Sequence, residues 1–291
     1  MLLLLAGFAL AQATVASPPQ ADARPPEAAP PTISAESVEL SRLDVSEPRV
    51  FIGVGEIHGT AEAPAVVEAL AKKLKASGYS VVLYLEEPRE RSPFFQYRDG
   101  TRAARALAQS PFWSDSFQDG RRGLANACVR WRLRPSKSGI EFVQVDPGVF
   151  DATRGYAMAK RIAEDLGNRR GRRVAGIFWA GNAHVLDGPP ALPPPAFRTA
   201  AMALPTFRSI TLDIYPARGS SYRCLREGCG NHPVPALATA RPGLARGNTS
   251  AWSFVIDRAT PQYPAVSYLK SGSNLQAVCE AQGFGRGGPA R

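Results

Sequence analysis

The sequence predicts an α/β fold: a mostly parallel central sheet flanked by helices, with a site at the carboxyl ends of the strands. Three observations carry this. Short apolar runs at residues 50–54, 81–85, 140–145 and 174–180 have the composition of strands buried on both faces. Helical spacing lies between them, as in Val66, Val67, Leu70 and Leu74. Strand–helix–strand order requires a crossover, and hence parallel pairing. Finally, the first and fourth runs leave through the same pattern, Gly55-Glu-Ile-His58 and Gly181-Asn-Ala-His184. Two of only three histidines thus stand at equivalent strand exits, the edge at which open α/β sheets bind ligands.

Taken in order, residues 1–16 read as a signal-like segment, with an apolar stretch from Leu2 to Leu10 and a small-residue site at Ala11-Gln12-Ala13. Export to a periplasmic or secreted location is expected, with a membrane tether if the segment is retained. Residues 17–46 are rich in Pro and Ala and suit an extended spacer. The α/β domain is expected over 47–275, followed by a mobile tail over 276–291. Within the domain, Thr60 is placed to cap the first helix and Gly78 to end it. The second strand ends in Glu86-Glu87-Pro88, and strand alternation turns Glu86 and Glu87 to opposite faces, Glu86 towards the site. Residues 101–109 suit a helix, broken at Pro111. A further helix is expected to open at Asp119-Gly120-Arg121 and to run through Trp131. The third strand exits at Asp146, where a capping role is expected. Residues 152–166 suit an amphipathic helix with Tyr156, Ile162 and Leu166 inward. Later strands are expected over 210–215, 252–257 and 265–269.

The net charge of +10 comes largely from Arg, clustered at 98–105, 121–134 and 169–173. Without aromatic interleaving or a nucleic-acid motif, these clusters read as solvated helix faces drawn to an anionic envelope surface; nucleic acid is not expected as a partner. Four cysteines in an exported chain favour disulfides. Three connectivities exist, and the Gly-rich turn between Cys224 and Cys229 favours that local pair. The run Cys224-x4-Cys229-x2-His232 also has zinc-ligand types but lacks a fourth ligand.

Four strand ends therefore bring Glu56, His58, Glu86, Asp146 and His184 to one edge. Imidazoles with carboxylates support hydrolysis, in which a histidine activates water and a carboxylate orients it. The same groups, His58, His184 and Glu56, could hold Mn, Zn or Co, leaving a position for water. No Gly-x-Ser-x-Gly elbow signals a nucleophilic serine.

Gly55-Glu-Ile-His-Gly59, Leu85-Glu-Glu-Pro88, Phe112-Trp113 ahead of Asp119-Gly-Arg121, Arg154-x3-Met158-Ala159 and Gly181-Asn-Ala-His184 together resemble the erythromycin esterase, ChaN and Tiki superfamily. The resemblance is strongest to its small bacterial ChaN-like members and covers roughly residues 49–235. It implies acid/base or metal roles for His58 and His184, with Glu56 and Glu86 as orienting or coordinating carboxylates. It makes Arg121 and Arg154 anion-holding groups and, with Asn182, the substrate-binding set. Where the family pattern has Asp after its Arg, this chain has Gly155. The activity implied is cleavage of an ester, lactone or amide in a small molecule or peptide. The alternative implied is binding of haem or iron, with Tyr or His as ligand.

Overall fold

The computed structural model describes residues 40–43, 45–91, 93–114, 122–148, 153–170, 173–185, 208–225, 228–234, 243–246 and 251–284. The chain forms β1 (Arg49–Glu56), α1 (Glu62–Ala76), β2 (Ser80–Pro88), α2 (Gly100–Gln109), α3 (Pro111–Ser114), α4 (Leu124–Leu133) and α5 (Pro135–Ser138). Then follow β3 (Glu141–Asp146), α6 (Arg154–Asn168), β4 (Val174–Gly181), β5 (Arg208–Pro216), β6 (Ser220–Leu225), β7 (Gly228–Pro233), β8 (Gly243–Arg246), β9 (Ala251–Ile256) and α7 (Leu275–Ala281). Seven strands make one sheet in the order β3-β2-β4-β1-β5-β9-β8, and β6–β7 is a separate hairpin. The first six of these strands are parallel and only the edge strand β8 is antiparallel. The predicted α/β class with a mostly parallel sheet is what the chain adopts.

The sheet is buried on both faces, which is why its strands read as unbroken apolar runs. One face carries Ile52, Val54, Leu83, Leu85, Ile177 and Trp179, in one core with Val66, Leu70 and Leu74 of α1 and Val129 of α4. The other carries Phe51, Val82, Tyr84 and Phe178, packed with Met158, Ile162 and Leu166 of α6. Each fully buried Leu, Ile or Val contributes about 1.5–3 kcal/mol, so the α1 stripe alone secures that helix. α1 ends where Gly78 takes φ +83, a conformation costly for any residue with a Cβ.

Several expectations are corrected. α1 starts at Glu62 and Thr60 does not cap it: the Thr60 hydroxyl donates back to Ile57 O at 3.1 Å. The helix expected from Asp119 begins at Leu124; residues 115–121 lie outside the described residues. Tyr156 is 57% exposed, because the inward stripe of α6 runs through Gly155, Met158, Ala159, Ile162 and Leu166, and Tyr156 lies beside it. Residues 265–268 form a 3-10 turn and not a strand, with Ser267 Oγ donating to Pro264 O at 2.7 Å. The tail expected to be mobile carries α7, capped by Asn274 and tied to α4 by the Cys128–Cys279 disulfide. Arg130 and Arg132, read as a solvated face, pair with Glu87 and Glu68; Arg130 is only 4% exposed. Cys229 is also disulfide-bonded, and its register partner in the β6–β7 hairpin is Cys224. A bonded Cys229 removes the thiolate that a zinc run would need. The signal-like segment and the spacer up to residue 39 lie outside the described residues, among which no helix is long and apolar enough to cross a membrane.

Candidate functional site

β1 and β4 lie side by side in parallel register, Gly55 opposite Ala180 and Glu56 opposite Gly181. Their two Gly-x-x-His exits are therefore neighbours, and each glycine makes room for the other exit. A Cβ on Gly181 would lie 2.8 Å from His58 Nε2, and a Cβ on Gly55 would lie 2.6 Å from Asn182 Oδ1. Only glycine at both places lets the two exits interlock. Beyond His58, Gly59 turns with φ +85 and its carbonyl accepts from Tyr222 N (3.1 Å) and Gln262 N (2.9 Å). That docks the loop against the hairpin and the strand-like segment around Gln262.

Glu86 is the hub. Its carboxylate is 4% exposed; Oε2 accepts from Gly181 N at 2.8 Å and Oε1 from Arg154 Nη2 at 2.9 Å. Both imidazoles reach it, His58 Nε2 at 3.6 Å and His184 Nε2 at 3.4 Å. Arg154, the first residue of α6, is almost buried. It donates from Nε to Asp146 Oδ1 at 3.0 Å, pairs through Nη2 with Asp146 Oδ2, and lies 3.4 Å from His184 Nε2 through Nη1. In that last contact arginine can only donate, so His184 Nε2 is the acceptor. Asp146 does cap its own turn, accepting from Gly148 N at 2.9 Å, and also anchors Arg154.

His58 Nδ1 lies 2.8 Å from Glu56 Oε1. Burial disfavours the imidazolium, but hydrogen bonds and charge from Glu56 and Glu86 outweigh it and raise the His58 pKa to about 9. His58 therefore carries a proton at neutral pH. With a side chain 26% exposed, it is the member of the pair that faces solvent more, against 11% for His184.

Three residues escaped the sequence reading. Trp179 Nε1 donates to Glu56 Oε2 at 2.7 Å, so both oxygens of Glu56 are engaged and the Glu56–His58 pair is rigid. Arg130 stacks on the Trp179 ring from the other side, 5.3 Å from its centroid. Asp213, in register with Gly55 on β5, also reaches the edge. Its signal was available: β1, β2, β3 and β5 each carry a carboxylate near their carboxyl end. Glu87 faces away from the site, pairing with Arg130 and accepting from Gln144 Nε2 at 2.9 Å. Arg121 lies outside the described residues.

The groups present do not suit a divalent metal. Among the described residues no three His, Cys, Asp or Glu are arranged to hold an ion. Both imidazole Nε2 atoms are turned onto one carboxylate, and Arg154 already supplies the positive charge between Glu86 and Asp146. In the expected set of His58, His184 and Glu56, both Glu56 oxygens are already taken, by His58 Nδ1 and Trp179 Nε1. What the arrangement offers is a protonated imidazole beside a second imidazole, both braced by one buried carboxylate.

No protein-family model matches the chain, and no curated protein matches it. Similar solved structures include a Bacillus cereus protein, 10% identical over 81% of this chain and 95% of that one, with a TM-score of 0.49. Another is a succinoglycan biosynthesis protein, 11% identical over 80% and 95%, also at 0.49. A third is the type III effector HopBA1, 13% identical over 71% and 87%, at 0.41. These likenesses concern the backbone path and carry no argument about activity.

Proposed function

We propose that this protein is a metal-independent hydrolase of the erythromycin esterase, ChaN and Tiki type, cleaving an ester, lactone or amide with water. The observation that carries the reading is the convergence of His58 Nε2 and His184 Nε2 on Glu86, with His58 held protonated. Two titratable groups in different environments divide the acid and base roles. His184 accepts a proton from water as the water oxygen attacks the carbonyl carbon. His58 donates its proton to the departing oxygen or nitrogen, and the proton on His184 then returns to His58 through solvent. Glu86 meets the His58 ring and Arg154 the His184 ring, while Glu56 and Trp179 hold His58 in its orientation. Arg154 holds Glu86 in place. The five motifs that resemble the superfamily support the same reading, as does the disulfide, which suits an oxidising, exported compartment.

The test is a screen of the purified protein against esters, lactones and peptide amides, with and without chelator. Turnover should persist in chelator and drop by about 100-fold or more in His184→Ala and in His58→Ala. Absence of turnover on every substrate, with circular dichroism intact, would remove the hydrolase reading. Activity abolished by chelator and restored by one metal would remove its metal-independent form.

A further inference from the structure

We propose that Asp213 is a positioning residue for the His184 exit, its carboxylic acid donating a hydrogen bond to the Asn182 side-chain oxygen above Gly55. The geometry is unusual for two acceptors. Asp213 Oδ1 and Asn182 Oδ1 lie 2.4 and 2.6 Å from the point where a Cβ on Gly55 would sit, so both oxygens crowd over the same glycine. Both are buried without a hydrogen-bond partner. Asp213 as a whole is 7% exposed. Its register neighbours, Gly55 on β1 and Ser253 on β9, carry no charge. Tyr215, two residues on along β5, is the group that feels its charge.

Two buried acceptor oxygens crowded over one glycine without a donor are unfavourable, since each unsatisfied acceptor costs about 1–3 kcal/mol. One proton on Asp213 satisfies both. Burial raises the Asp213 carboxyl to about 7, which supplies that proton below neutrality. Asn182 opens the 3-10 turn Asn182–His184, and Val185 N closes it on Asn182 O at 3.0 Å. Holding the Asn182 side chain therefore sets the direction in which the turn presents His184 to Glu86. Gly55 is what permits the contact, which gives the first Gly-x-x-His motif a second function besides the backbone turn.

The proposal rests on the hydrolase reading for its kinetic readout alone. The infrared difference spectrum between wild type and Asp213→Asn at pH 6 should contain a protonated-carboxyl band that disappears by pH 9. In Asn182→Ala that band should move to higher frequency as its acceptor is lost. The His184 ring resonances should shift in Asp213→Leu and stay close to wild type in Asp213→Asn, which keeps a donor of the same shape. Where turnover is found, Asp213→Leu should lower kcat by about 100-fold at unchanged KM, as expected for a misplaced group, with Asp213→Asn recovering most of it. A carboxylate band at pH 6, showing an ionised Asp213 against a reversed amide, would overturn the proposal. So would a His184 spectrum insensitive to Asp213→Leu; if that variant does not fold, an unmoved band in Asn182→Ala decides the same way. Spectroscopic agreement without turnover on any substrate would sink the hydrolase reading and leave the Asp213–Asn182 contact standing.

Discussion

At the scale of single residues, the site is a line of alternating charge that crosses the sheet. Glu87 pairs with Arg130, Arg130 stacks on Trp179, Trp179 donates to Glu56, and Glu56 holds His58. His58 meets Glu86, which Arg154 and Asp146 close off. Such a network is costly to leave half made, because each buried group depends on the next. Trp179→Phe keeps the ring and removes one donor, leaving Glu56 Oε2 unsatisfied in a residue only 3% exposed. A loss of about 1–3 kcal/mol is expected from that acceptor, measured as a lower urea midpoint with an unchanged slope. Glu56→Gln acts on the proton. It removes one of the two charges that raise His58, so the His58 ring titration followed by NMR should fall from about 9 towards its ordinary 6.5. A His58 that already titrates near 6.5 in wild type would contradict the acid role proposed for it.

At the scale of elements, the fold's frame was legible in the sequence, because strands covered on both faces cannot hide. The runs at 50–54, 81–85 and 174–180 became β1, β2 and β4, and the Val66, Val67, Leu70, Leu74 stripe became the buried side of α1. Glu86 and the two Gly-x-x-His exits were legible for the same reason: a parallel crossover places strand ends together. Distant partners were not. Trp179 and Arg130 read as a core residue and a surface charge, since nothing local announces that α4 brings Arg130 under the sheet. Tyr156 shows the limit of periodicity, as one residue of offset moved it from the core to solvent. α7 was lost because seven residues are too few to show a helical period; what holds it is a covalent bond closing a loop of 151 residues. Cys279→Ser should therefore cost about 2–5 kcal/mol, read from urea unfolding against the oxidised wild type. Reduction of the wild type should reproduce much of that loss, and no change in either case would mean that packing alone retains α7.

For the whole molecule, three buried groups push stability in the same direction with pH. Burial raises Glu62 and Asp213 to about 7 from 4.5 and 3.8. Between those values the unfolded chain has released protons that the native state still holds. Stability must then fall as pH rises from about 4 to 7. His58 is raised from 6.5 to about 9, so its contribution is fully present below 6.5 and is lost as pH climbs through 9. The sign is the same, and the two windows join end to end. Each proton held by the native state alone changes stability by about 1.4 kcal/mol per pH unit. Opposing this, the positive net charge of +10 repels itself less as pH rises. That repulsion is screened over about 8 Å at 0.15 M salt, so the buried terms dominate. Glu68, lowered in spite of burial by its pairing with Arg132 and Lys72, sets the acid limit, since its contribution is lost as pH falls below its usual range. Stability at 0.15 M salt should therefore peak near pH 4–5 and decline steadily to pH 9, an acid-shifted profile against the usual optimum of roughly 5–8. Tm measured at half-unit steps checks this directly. Asp213→Asn should lessen the slope of the limb between 4 and 7, leaving the share of Glu62, and spare the limb above 7, which belongs to His58. A Tm that rises from pH 5 to 8 would show that Glu62 and Asp213 are ionised in the native state, and the protonated contact above Gly55 would fail with it.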